Sequence, residues 1–346
     1  MTRARFVGLI VAAAAFLHPV HLAADDSRRD DSAGYELTSR DILLNALIPG
    51  YAQIKLGRRT AGVIYLSSVP LTIAGMALQT HYLAKVMTDD RLELYYTDEN
   101  GRWYLFYLEG LNERPDKWEF FLGTILGLYG TLLSTHSQYD VEQHLVARAV
   151  VPALPAEPVS LAQAVAAPWQ PRNLLNLEIL PVFALSVLPE VARIDRATLI
   201  DYFSRSSVPF LGTEVSPAVG LALAAGGAIL IANANAVWEE IAYRGMQLQT
   251  FGVVGSSVRF GLVHLPNALT PNVSVQDTLW QTTLATMFGL YAASVTERNA
   301  YDFRRAIAWH FWNNVVAFTL GYLTAPDDQL FFGVGIDLRR RGSLRR

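Results

Sequence analysis

The residues best suited to chemistry follow an uncharged stretch of the chain. No charged side chain occurs from Pro217 to Asn233, and "ANAVWEEIAYRG" follows, with Glu239, Glu240 and Arg244. A charge at mid-bilayer costs ~2.5–3.5 kcal/mol, so such residues tend to face the interior of a helix bundle and to mark function. Glu240 and Arg244 are four residues apart and can pair, whereas Glu239 points about 100° away. The spacing predicts a structural Glu240–Arg244 pair and a Glu239 free for proton transfer. The alternative is a charge cluster at a helix end beside the membrane.

Two later apolar helices carry further polar groups of catalytic type. "RFGLVHLPN" places Phe260 and His264 four residues apart, and "AWHFWNNVVAF" does the same for His310 and Asn314. One histidine on an apolar helix is more often a hydrogen-bonded core residue, but three such helices together predict one shared site. Water activation would need Glu239 within ~2.6–3.2 Å of a water that the other helices also reach. The alternative places Glu239 among lipid headgroups, with both histidines bonded to separate backbone carbonyls.

Composition indicates the elements that position these residues. Of 346 residues, 51% are hydrophobic and only 17% are charged, a balance typical of multispanning membrane proteins. The net charge of -3 argues against a nucleic-acid partner. The chain has no cysteine, which excludes disulfides, zinc ribbons, iron–sulfur clusters and thiol nucleophiles. We therefore expect an all-α polytopic membrane bundle of about six to eight transmembrane helices, in contact with a lipid bilayer.

Several apolar runs are candidate spans of that bundle. They are residues 61–83, 120–134, 177–189, 217–238, 250–270, 278–295 and 306–324. The apolar part of residues 41–59 is too short to span and is expected to be re-entrant or interfacial. Basic clusters in "KLGRR", "DFRR" and the tail cannot all be cytoplasmic if every candidate spans fully, so the orientation stays open.

The chain divides into five predicted parts. Residues 1–24 resemble a signal peptide, with an uncleaved first span as the alternative. An N-terminal membrane module follows, with a polar loop rich in aromatic residues, then a linker rich in proline and alanine, a C-terminal core and a basic tail. These four parts cover residues 25–145 (loop 84–118), 146–173, 174–330 and 331–346. "HSQYDVEQH" (136–144) is interpreted as solvated loop, and the style of the signal segment indicates a bacterial inner membrane.

"EEIAYRG", "FGLVH" and "HFWNN" resemble the three signature motifs of the CAAX protease and bacteriocin-processing family, also called the Abi family. That pattern is Glu-Glu-x-x-x-Arg, then Phe-x-x-x-His, then His-x-x-x-Asn, and the resemblance covers roughly residues 215–325. It implies a membrane-embedded endopeptidase acting on a membrane-associated protein or peptide. In such an enzyme Glu239 and His264 would activate water, while His310 and Asn314 would stabilise the oxyanion. Glu240, Arg244 and Phe260 would support the site.

The chemistry implied by the resemblance is physically sound. A carboxylate in a poorly solvated site becomes a competent general base, and N–H groups aimed at a tetrahedral intermediate stabilise it in a low dielectric. The His-Glu-x-x-His pairing of metalloproteases is missing, so a metal-independent enzyme without cofactor is expected, with a divalent metal as the alternative. Two other classes stay open: a non-catalytic membrane binding or immunity protein that keeps the fold, and a proton-coupled transporter.

Overall fold

The computed structural model describes residues 36–89, 92–108, 117–148, 157–191, 194, 196–269 and 272–324. The predicted signal peptide and basic tail lie outside these residues. The described chain is mostly helical, as predicted, but it also contains two small antiparallel hairpins, β1–β2 and β3–β4. The all-α class is therefore corrected to a mostly helical fold with two β-ribbons.

The described part of the N-terminal half contains four short or medium helices, one hairpin and one long helix. Their bounds are α1 Ser39–Leu47, α2 Tyr51–Lys55, α3 Arg59–Leu66, α4 Ser68–Asp89, β1 Leu92–Thr97, β2 Trp103–Leu108 and α5 Trp118–Ala147. The remaining elements begin with short helices and end with long ones, three of which carry the sequence motifs. They are α6 Leu161–Ala166, a 3-10 turn Ala167–Trp169, α7 Pro171–Leu174, a 3-10 turn Leu177–Ile179, α8 Leu180–Val191, α9 Arg196–Ser204, β3 Val208–Phe210, β4 Thr213–Val215, α10 Pro217–Glu240, a π-helix Ile241–Gln247, α11 Leu248–Leu262, a 3-10 helix Leu265–Leu269, α12 Val275–Arg298 and α13 Arg304–Thr324.

A capping box and an ion pair fix the start of α1. The Thr38 backbone N–H donates to Asp41 Oδ2 at 2.8 Å, and the Asp41 N–H donates back to Thr38 Oγ1 at 3.3 Å. Lys55 Nζ lies 2.6 Å from the same carboxylate. The Lys55 ammonium, with the Thr38 hydrogen bonds, holds the pKa of the Asp41 carboxyl well below its ordinary value.

A buried polar network joins α1 and α2 to α5. Gly50 takes a left-handed conformation, φ 93°, which lets the chain turn between the two helices. Asn45 Oδ1 accepts from the Gly50 N–H at 3.1 Å, and Asn45 Nδ2 donates to Ser137 Oγ at 3.1 Å. Residues 41–59 thus form short helices folded against α5, consistent with the expectation that they do not span.

The helices α4 and α5 pack closely along a line of glycines. A Cβ added at Gly75 would lie 2.6 Å from the Gly123 carbonyl oxygen and 2.7 Å from the Gly127 nitrogen. Small residues of this kind let helix backbones approach each other, a common device in membrane bundles.

Two segments predicted as loop or linker are part of the packed core. His136 lies in α5, where its Nδ1 is 2.8 Å from the Tyr65 hydroxyl and its Nε2 is 3.2 Å from the Val159 carbonyl. The solvated-loop interpretation of 136–144 is therefore wrong. Leu161 and Ala164 are buried in one cluster with residues of α5, α10 and α13, so the described part of the predicted linker is not a free connection. The same cluster spans both halves of the chain.

By length and composition, two helical segments among the described residues could cross a membrane, Arg59–Lys85 and Pro217–Ala268. Both overlap predicted spans. The predicted number of six to eight is not confirmed. The longer segment is not one straight helix, because Gly252 has non-helical angles, φ 66° and ψ -179°.

Candidate active site

The glutamate pair lies where α10 passes into the π-helix. π-Helical turns are rare and often accompany functional sites. Glu240 is fully buried, and Arg244, within the π-helix, is 1% exposed. Arg244 Nε lies 3.1 Å from Glu240 Oε2, at angles that make the contact ionic rather than a hydrogen bond. The i, i+4 spacing thus gives a buried ion pair.

His310 of α13 connects the two glutamates. Its Nδ1 lies 2.9 Å from Glu240 Oε1, and its Nε2 lies 3.6 Å from Glu239 Oε2. Glu239 and His310 are 5% and 7% exposed, which excludes bulk water from both. Two of the three motif helices therefore meet in one buried cluster, which we call the acid–histidine cluster: Glu239, Glu240, Arg244 and His310.

Two phenylalanines form the apolar wall of this cluster. The Arg244 guanidinium carbon lies 4.3 Å from the centroid of Phe260 and 5.6 Å from that of Phe288. The His310 ring lies 5.8 Å from Phe260 and 5.3 Å from Phe288. These are distances of cation–π and aromatic contact. Phe288 of α12 was missed by the sequence analysis, because an isolated phenylalanine in an apolar run carries no signal that separates it from ordinary core.

His264 lies on the other side of Phe260. Its ring is 5.3 Å from the Phe260 ring, and its Nδ1 is 2.9 Å from the Phe260 carbonyl oxygen. It is partly exposed. Within the described part of the chain no ion pair joins His264 to Glu239. A hydrogen bond to a backbone carbonyl is what the non-catalytic alternative expected of this histidine. The contact with Phe260 nevertheless keeps His264 beside the cluster.

Asn314 lies on α13, one turn after His310. Its side-chain oxygen is 3.5 Å from Asn313 Nδ2, and among the described residues no hydrogen bond or ion pair joins it to the acid–histidine cluster. The Asn313 Oδ1 atom is buried and makes no hydrogen bond to any described residue. The role predicted for Asn314 beside the other catalytic groups therefore stays a prediction.

Several buried polar atoms of the cluster have no hydrogen-bond partner among the described residues. They include Glu239 Oε2 and both terminal nitrogens of Arg244. An unsatisfied buried polar group costs ~1–3 kcal/mol, so native proteins usually give it a water, an ion or a ligand. Glu239 Oε2 and His310 Nε2, at 3.6 Å, are close enough for one water to bond to both.

Among the described residues, no group of three histidine, cysteine or acidic side chains is arranged to hold a metal ion. The acid–histidine cluster itself contains Arg244, whose positive charge at Glu240 competes with a cation for that carboxylate.

Comparison with known families supplies the deciding observation. Residues 221–316 match the family model described as type II CAAX prenyl endopeptidase Rce1-like. This match agrees with the similarity of the three motifs to the CAAX protease and bacteriocin-processing family. The chain matches no curated protein and no solved structure.

The CAAX protease match covers all the motif residues of the acid–histidine cluster and ends two residues after Asn314. The description of that family model is of a prenyl endopeptidase, a class of protease. Residues 36–148 lie outside the match, although they pack against α10 and α13 in the shared core. The N-terminal elements thus lie outside the matched segment, and their role has to be inferred from their own contacts.

Proposed function

We propose that the protein is a metal-independent intramembrane endopeptidase that hydrolyses a peptide bond with water activated by Glu239. The observation that supports this proposal most is the His310 bridge between Glu239 and Glu240, inside the family segment. Nothing in the fold or the family match favours the transporter or the immunity protein.

Charge balance within the cluster assigns its protons. The Nδ1 of His310 faces the Glu240 carboxylate, which only accepts, so Nδ1 carries a hydrogen. The Nε2 faces Glu239 in turn, and two bare lone pairs there would repel each other. One proton shared between Glu239 and His310 Nε2 removes that conflict. Arg244 and that shared proton then offset the two carboxylate charges, which lowers the cost of burying them in an apolar bundle.

The proposed reaction uses these groups in sequence. Glu239 takes a proton from water as the water oxygen forms a bond to the scissile carbonyl carbon. His310 donates an N–H hydrogen bond to the developing oxyanion, held in orientation by Glu240 at 2.9 Å. When the intermediate collapses, the C–N bond breaks and the proton on Glu239 passes to the leaving amine. No covalent intermediate with the chain is formed.

The remaining motif residues take supporting parts in the proposal. By resemblance, His264 would hold the attacking water with Glu239, and Asn314 would donate a second hydrogen bond to the oxyanion. His264 is in contact with Phe260, which packs against the cluster, and Asn314 lies one helix turn after His310. Small adjustments on binding substrate would be needed to bring them in, since catalytic hydrogen bonds often tighten only in the complex.

We further propose that the substrate is a membrane-associated protein or peptide and that the enzyme resides in the bacterial inner membrane. The site is buried among apolar helices, and the family's description names a prenyl endopeptidase. A prenylated peptide ending in a CAAX sequence is therefore the first substrate to test, beside the same peptide without the lipid.

The test compares purified wild-type protein with Glu239→Gln in lipid nanodiscs, using both peptides. General-base loss should reduce kcat by about 10²–10⁴-fold. Glu178→Gln is the matched control, because Glu178 is also paired with an arginine, Arg305 at 2.7 Å, but lies outside the cluster with about one-third of its side chain exposed.

If neither peptide is cleaved, the membrane proteomes of cells with wild-type and Glu239→Gln protein identify the substrate by peptides that depend on Glu239. Identical proteomes and identical peptide turnover for the two forms would refute the proposal.

A further inference from the structure

The β1–β2 hairpin, which lies outside the family match, contacts the segment that follows His264. Its strand β2 forms an isolated antiparallel bridge between Tyr104 and Ser274, and the Phe106 carbonyl accepts from the Asn272 N–H at 3.0 Å. Tyr104 and Ser274 are both buried at this junction. An element from the N-terminal half thus adds a partial third strand to the turn before α12.

Gln276, in the first turn of α12, makes the side-chain part of this junction. Its Oε1 accepts from the Trp103 backbone N–H at 2.9 Å, and its Nε2 donates to the Gly101 carbonyl at 3.2 Å. Both amide atoms therefore bond to the hairpin backbone. Arg102 and Asp277 add an ion pair at 3.9 Å.

The bonded segment is the tip of a helical unit that carries His264. We call this unit the His264 arm: the part of α11 after Gly252, the 3-10 helix Leu265–Leu269 and α12 up to Thr286. Its two helices are in close contact, since a Cβ at Gly261 would lie 2.9 Å from the Thr282 carbonyl oxygen. At Gly252 the backbone leaves helical angles, so no continuous helix connects the arm to the glutamates of α10.

We propose that the β1–β2 hairpin positions the His264 arm and that Gln276 is the positioning residue that joins them. This inference rests on the proposed function for its effect on catalysis, but not for its effect on structure. The arm has one end at a non-helical glycine and the other at the hairpin. Phe260 packs the arm against the acid–histidine cluster, and the hairpin contacts at the other end of the arm set the position in which His264 is held beside it.

The first experiment measures the position of the arm without any substrate. Because the chain has no cysteine, Leu265→Cys with Leu199→Cys gives two spin labels, on partly exposed residues of the arm tip and of α9. Electron–electron resonance in nanodiscs should give one narrow distance distribution, which Gln276→Ala should broaden and shift. Gln276→Glu keeps the acceptor for the Trp103 N–H and should give an intermediate distribution.

Gln163→Ala is the matched control. Gln163 is likewise exposed and in the first turn of a helix, where its Oε1 accepts from the Ser160 N–H at 2.9 Å. Its loss should leave the distribution unchanged. The proposal is overturned if Gln276→Ala gives the same distribution as Gln163→Ala and the unsubstituted pair.

The second experiment measures catalysis with whichever peptide the wild-type enzyme cleaves. A displaced catalytic group costs rate rather than affinity, so Gln276→Ala should lower kcat by about 10-fold or more while KM stays near its wild-type value. A changed distance distribution with unchanged kcat would keep the positioning and reject the catalytic use of His264. An unchanged distribution rejects the inference whatever the protease assay gives.

Discussion

Removing the charge of Glu240 should destabilise the protein far more than removing that of Glu239, although the residues are adjacent. Glu240 is fully buried and contacts both Arg244 and His310. Glu240→Gln leaves the Arg244 guanidinium buried without its paired carboxylate. Among the described residues Glu239 forms its ion pair with His310, at 3.6 Å, and its Oε2 makes no hydrogen bond.

The size of the difference follows from these contacts. Breaking a buried ion pair by removing one partner costs about 3–5 kcal/mol. Glu239→Gln keeps the side-chain volume and weakens only the longer contact with His310, at 3.6 Å, so it should change the free energy of unfolding by about 1 kcal/mol or less. For a chain of 346 residues the first loss corresponds to a fall in Tm of roughly 4–7 °C.

The assay is thermal unfolding in one detergent, followed by size-exclusion recovery of the folded form. Glu178→Gln again serves as control, because its partner Arg305 is about one-third exposed and the change should cost at most ~1 kcal/mol. Equal losses of Tm for Glu239→Gln and Glu240→Gln would refute the division of roles between the two acids.

Three further predictions follow from single contacts. Gly75→Ala should destabilise by about 1–3 kcal/mol, because its Cβ would meet the Gly123 carbonyl, whereas Gly226→Ala, which meets nothing within 4 Å, should stabilise by ~0.4–1 kcal/mol in the same thermal assay. The Asp41 pKa is lowered in the folded state by Lys55, so its stabilisation is present above about pH 4 and is lost as the pH falls below that. The Tm gap between wild type and Asp41→Asn should therefore shrink between pH 6 and pH 3, and a constant gap would contradict the sign. Peptide cleavage should survive a strong chelator, and one tightly bound zinc per chain whose removal abolishes cleavage would overturn the metal-free proposal.

The sequence predicted well where a short local rule applied. Four-residue spacing in a helix was enough to pair Glu240 with Arg244 and to place Phe260 beside His264. The apolar runs likewise identified the helices that carry the motifs. The family resemblance, drawn from three short motifs, agrees with the match over residues 221–316.

Long-range relations were the part that sequence could not supply. The bond from His310 to Glu240 joins residues 70 positions apart, and nothing in either motif indicates which glutamate the imidazole will meet. The interpretation of "HSQYDVEQH" as loop was wrong because its polar residues gave no sign of their partners. His136 bonds to Tyr65 and to the Val159 carbonyl, which are distant in the sequence. The predicted aromatic loop 84–118 contains a β-hairpin, and its strand β2 also bonds to residues 272 and 274, a long-range pairing that the local pattern does not show.

The order in which the cluster is completed has a consequence for biosynthesis. Chain growth delivers Glu239 and Glu240 first, Arg244 four residues later, and His310 only with the last described helix. While α12 is being made, Glu239 lacks its contact with His310, and a charge in the lipid costs ~2.5–3.5 kcal/mol. Nascent chains stalled before α13 should therefore insert α10, part of a candidate span, less completely than the full chain does. The final helix then completes the acid–histidine cluster and favours the insertion of the helix that carries its two acids.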